Sequence, residues 1–179
     1  MDGIKQVMVQ VEQVNYKFDT DRRTAEAQTQ TIIQTTKQRV DKEISEATAR
    51  REQLEQQYST NERKYREDSK MLMTQRQIQG NIDTIHKVLR GEQQPDELPP
   101  NLLPMLKLLA MITRENETIS QAQERLRQTT EQETIKLSRK ISELEETRNT
   151  SLTQVRTRFI SVIDRFREEL AQGIDCIKM

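Results

Sequence analysis

Only a few residues of this chain have side chains suited to bond-making chemistry, and their spacing keeps them apart. There is one histidine, His86, and one cysteine, Cys176. A nucleophilic Cys–His pair would need the tertiary fold to bring them together across ninety positions, and nothing in the sequence suggests it. A zinc site is short of ligands for the same reason. The four glycines, Gly3, Gly80, Gly91 and Gly173, are isolated, so no glycine-rich loop can cradle a phosphate. The carboxylate pairs Glu145-Glu146 and Glu168-Glu169 are neighbours on helix-forming sequence and read as a solvated face. Three Tyr and three Phe without Trp give no platform for stacking bases. The expectation is no catalytic residue, no metal, no cofactor and no enzymatic activity.

The composition points to helices that pair along narrow seams. Hydrophobic residues make up 32% of 179 and charged residues another 32%, with 3% aromatic. That is too little apolar volume for one thick core. It suffices for a coiled-coil seam, which uses about two positions in seven. The 29 basic and 29 acidic residues balance, so no net field favours nucleic acid or an anionic membrane. Disorder is disfavoured because the apolar residues recur with a helical period. No run approaches the ~18 apolar residues of a membrane span, and the opening residues lack a signal-peptide core. A reducing, cytoplasmic setting is the expectation. In that setting the sequons at Asn116 and Asn149 are coincidental, and Cys176 acts as a buried or half-buried small hydrophobe.

Two helical segments and a connector follow from the pattern: residues 1–90, 91–100 and 101–179. In the first, Ile4, Val7, Val11, Val14 and Phe18 alternate steps of three and four on one stripe. Val7, Val11 and Phe18 are the seam positions where a partner helix would insert. The stripe thins through Thr20–Thr31. It resumes at Ile32, Thr36, Val40, Ile44, Ala47, Leu54 and Tyr58, then Tyr65, Leu72, Ile78, Ile82, Ile85 and Leu89. Gly80 marks a possible bend. Gly91 after Leu89-Arg90 reads as a helix C-terminus, and Pro95, Pro99 and Pro100 exclude a continuous helix.

The second segment opens near Asn101, with Pro104 in its first turn. Leu102 to Ile112 is apolar on several faces, which predicts a junction where several helices pack, with Leu106 and Leu109 in the seam. The most regular stripe then runs Leu137, Ile141, Leu144, Arg148, Leu152, Val155, Phe159, Val162, Phe166, Leu170, Ile174 and Ile177. Its mean step of about 3.6 lies near the eleven-residue repeat of ~3.67 residues per turn. Leu152, Val155, Phe159, Val162, Phe166 and Leu170 are its predicted interaction residues. Arg148 interrupts it, either as a register-fixing polar residue or as a stem reaching solvent. At ~1.5 Å per residue the segments would be rods of about 130 and 115 Å if unbroken. The fold class is therefore all-α, an elongated coiled coil arranged as a helical hairpin or rod.

One resemblance accompanies this pattern. Leu137 to Asn149, followed by Val155, Phe159, Val162-Ile163-Asp164, Phe166-Arg167, Leu170 and Ile174-Asp175, resembles the coiled-coil region that follows the B-box in tripartite-motif proteins. Thr35 to Leu109, with Val88-Leu89-Arg90-Gly91 and the leucine cluster, is similar to the fold-back arm of that family. The resemblance implies an antiparallel dimeric rod that spaces other modules. The Cys and His ligands of a RING or B-box are missing, so ligase activity is not carried over. The functional expectation is a non-enzymatic scaffold, a homodimer that also binds proteins through helix–helix seams. The alternative is a structural subunit of a larger hetero-oligomeric assembly, cytoskeletal, ciliary, kinetochore or tethering. A curved, basic membrane-binding module fits the evenly mixed charge least.

Overall fold

The structure is a computed structural model that describes residues 2–177, except for the side chain of Asp2. Met1, Lys178 and Met179, at the outer ends of the two predicted segments, lie outside the described residues. Three α-helices account for most of it: α1 over Asp2–Ser69, α2 over Gln75–Leu89 and α3 over Leu103–Ile177. Two single-turn 3-10 helices, Pro95–Glu97 and Pro100–Leu102, lie between α2 and α3. Among the described residues there is no strand, so the all-α class holds.

The predicted segment 1–90 is interrupted. Its helix stops at Ser69 and restarts at Gln75, and Gly80 lies inside α2 without ending it. The restart has a local cause. The Gln77 backbone N–H donates to Thr74 Oγ1 at 3.3 Å, and the Thr74 N–H donates to Gln77 Oε1 at 2.9 Å. This reciprocal capping box satisfies N–H groups that a new helix leaves open. The other end of α2 stops at Gly91, whose φ of 75° is the left-handed conformation glycine adopts without penalty. The Glu92 N–H donates to Lys87 O and the Gly91 N–H to Val88 O, the paired bonds of a Schellman motif.

The chain divides into two units: residues up to Gln34 with those from Thr129 onward, and residues 35–128. Residues 35–128 form a helical hairpin with α2 packed into it. From Val40 to Tyr65 the inward places are Val40, Ile44, Ala47, Arg51, Leu54, Tyr58, Asn61 and Tyr65. They alternate steps of four and three, a strict heptad that tolerates two polar members. Facing them, α3 runs the opposite way. Arg125 pairs with Glu43 at 2.6 Å, Arg50 with Glu115 through two bonds of 3.1 Å, and Arg51 donates to Asn116 Oδ1 at 3.1 Å. Between these pairs each helix buries an alanine completely, Ala47 and Ala122. Small residues there let the backbones approach closely.

The turn end of this hairpin holds its thickest core. Tyr65 of α1, Ile78, Ile82 and Ile85 of α2, and Leu98, Leu102 and Met105 bury one another. Leu106 and Leu109 pack half-buried against them. The multi-helix junction expected of the leucine-rich stretch is this cluster. A 15-residue helix is marginal by itself, so the three isoleucines hold α2 in place. Inside the cluster rim Asn81 Nδ2 donates to the Tyr65 hydroxyl at 2.9 Å. Leu72, expected on the seam, instead lies exposed in the turn.

Candidate interaction surface

The other unit pairs the first half of α1 with the last part of α3, again antiparallel. The Phe18 ring lies under the Arg148 guanidinium, 4.3 Å from its centroid to the guanidinium carbon. A Cβ on Gly3 would stand 3.3 Å from Val162 Cγ1. Between these two contacts α1 and α3 of the same chain pack on each other. Val7, Val11 and Val14 are half-buried and Phe18 is buried on α1; Leu152 and Phe159 are half-buried and Val155 is buried on α3. The polar stretch of α1 continues this face with Asp21, Ala25 and Thr29, and Ile33 takes the half-buried place expected of Ile32, which is exposed. The thin stripe is thus filled with small side chains.

Arg148 stays in the seam as a polar member, the first of the two places foreseen for it, and does not reach out to solvent. It is half-buried, and its Nε is buried without a hydrogen-bond acceptor. The π face of Phe18 supplies the electrostatic partner instead. This contact was not legible from spacing, because it pairs residues far apart in sequence.

Beyond Val162 the apolar stripe carries on and its burial stops. Val162 itself is exposed, and Ile163 is half-buried. Phe166 is 60% exposed, Leu170 52%, Ile174 52% and Ile177 85%. At ~100° per residue, positions 163, 166, 170, 174 and 177 fall within an arc of about 80°. The same arc, extended slightly, contains Leu152, Val155 and Phe159. A face that is seam along one part of α3 is therefore bare along the next. Of the eleven predicted interaction residues, Val162, Phe166 and Leu170 belong to this bare part, and the other eight pack within their own units. Exposed apolar residues scattered singly need no explanation; a contiguous row does.

Groups suited to chemistry do not converge. His86 is exposed, and its ring meets the Tyr58 ring edge-on at 6.4 Å between centroids. Burial raises the Tyr58 phenol above its ordinary pKa. Cys176 is a free, exposed thiol, which corrects the expectation of a buried or half-buried one: the stripe it borders has no covering helix. Among the described residues no group of three His, Cys, Asp or Glu side chains could hold a metal, and no helix is long and apolar enough to cross a membrane. On the outer face of α3 the Glu124 carboxyl is held down at about 2 by hydrogen bonds from Arg127, then Gln128. Arg50 is raised chiefly by its hydrogen bond with Glu115. These are partners along and between helices, and the carboxylates they engage are already occupied. Phe166, Leu170, Ile174 and Ile177 on α3 remain open to another molecule. No protein-family model matches the chain, and neither the curated proteins nor the solved structures compared with it gave a match.

Proposed function

We propose that this chain is a non-enzymatic coiled-coil scaffold, acting in the cytoplasm, that associates with itself and with other proteins through helix–helix seams. One observation carries the reading: the seam face of α3 continues past Val162 as the exposed row Phe166, Leu170, Ile174 and Ile177. Leaving such a row in water is unfavourable by ~25 cal/mol for each Å² of apolar surface, so a partner that covers it is stabilised. Neutral net charge and salt bridges that tie α1 to α3 support a spacing element more than a binder of polyanions. Kinship with the coiled-coil region of tripartite-motif proteins belongs to the same proposal and rests on the spaced residues from Leu137 to Ile174. Sedimentation velocity with light scattering tests the reading. A helical dimer is expected; a monomer at all concentrations that also captures no protein partner refutes it.

A second reading, a subunit of a hetero-oligomeric assembly, is favoured by the turn after α1, where Met71 and Leu72 are almost fully exposed. Methionine adapts its shape to foreign surfaces. This reading expects the purified chain to be poorly helical or aggregated alone and to become helical on co-expression with its partner.

A further inference from the structure

Resting on the self-association reading, we infer that the partner of the bare row is the same row in a second copy, the two pairing antiparallel about a two-fold axis at Leu170. The spacing of the row is its own mirror image. Half-buried Ile163 and the exposed Phe166, Leu170, Ile174 and Ile177 share one arc of α3 and are separated by three, four, four and three residues. Laid antiparallel on itself with Leu170 at the centre, every apolar position meets an apolar position. Ile163 faces Ile177, Phe166 faces Ile174, and Leu170 faces Leu170. A two-fold interface requires this reciprocity: if one position contacts a second, the second contacts the first.

The direction of the pairing follows from what already lies on α3. The first half of α1 runs antiparallel to it, on the face that bears Arg148 and Val155, and Gly3 comes to Val162. The row occupies the continuation of that face. In a parallel, in-register pair, residues before 163 would face each other as well, yet each copy already has its own α1 on that face. The two α1 stretches would contend for one space. In the antiparallel pair each copy's α1 leaves toward the opposite end, and each row takes on the other copy the place that α1 takes within its own. The interface is thus continuous with the seam already formed.

The edges of the row allow the approach. Gly173 has open space where a Cβ would be, and Ala171 is small and exposed. Fifteen residues per copy make a short seam, so the expected dissociation constant lies in the range of ~1–100 µM.

Three measurements on the whole chain test this together. Light scattering over a concentration series should show a monomer–dimer equilibrium. Leu170→Glu should weaken it ~100-fold or more, since both leucines at the axis are lost and two carboxylates meet there. Its circular dichroism should match the parent, because Leu170 is exposed within one copy. In a Cys176→Ser background, Phe166→Cys and Ile174→Cys chains should each cross-link poorly alone and form a disulfide-linked pair when mixed and oxidised. Strong self-linking of each variant would mean a parallel pair and would overturn the inference. A dimer unmoved by Leu170→Glu would overturn it too, while leaving self-association through another surface intact. A monomer at about 300 µM would remove both.

Discussion

Replacing Ile85 by Ala probes the node that holds α2. Ile85 is completely buried, among Tyr65, Ile78, Ile82, Leu98, Leu102 and Met105. The substitution removes three carbons, worth about 0.8 kcal/mol each, or ~2.4 kcal/mol in transfer from water. The cavity left behind adds to that, because the six buried residues around it, from four stretches of chain, cannot all relax inward. The higher helix propensity of Ala returns a few tenths of a kcal/mol. The expected loss is about 3–4 kcal/mol, against about 1 kcal/mol for Ile85→Val, which removes one carbon. Urea denaturation followed by circular dichroism gives the magnitude. Hydrogen exchange gives the place: amides of 75–109 should lose protection while those of 137–160 change little. Ile160→Ala, at an exposed position, is the control. If Ile85→Ala costs no more than the control, α2 is not held by its isoleucines and the account of the hairpin's turn fails.

Gly91→Ala should destabilise by about 1–2 kcal/mol, the cost of a left-handed φ for a residue with a Cβ, since no neighbour would clash; Gly91→Asn should lose less. Equal melting temperatures for all three chains would contradict this. A double-mutant cycle with Phe18→Leu and Arg148→Met should give a coupling of about 0.5–2 kcal/mol, and a coupling within error of zero would remove the cation–π contact from the seam. Glu124 should titrate at about 2 by carboxyl NMR, and Arg127→Gln should raise it. Because its folded value is depressed, its contribution is present above the ordinary carboxylate range and is lost as pH falls through about 2. A Glu124 midpoint in the ordinary carboxylate range would refute the Arg127 bond.

The helices themselves were legible from residue types and spacing. Helix formers with few breakers give long helices, and Gly91 and the prolines mark where backbone geometry forbids them. The break after Ser69 was missed, although its start signal, the Thr74-x-x-Gln77 box, is a local pattern that the sequence carries. The apolar row from Phe166 to Ile177 was visible as a stripe, continuing from Val162, whereas the structure turns Ile163 to that face. What spacing could not show was which stripe is covered. Periodicity records that a side chain faces one side of its helix, and it is the same whether that side meets another helix or water. Val155 and Leu170 occupy equivalent places in one pattern, yet the first is buried and the second exposed. That difference arises from the antiparallel register of α1 against α3, set by contacts between residues more than a hundred positions apart, such as Phe18 and Arg148. Local spacing determines the faces of a helix; only the long-range register decides where a face finds its partner.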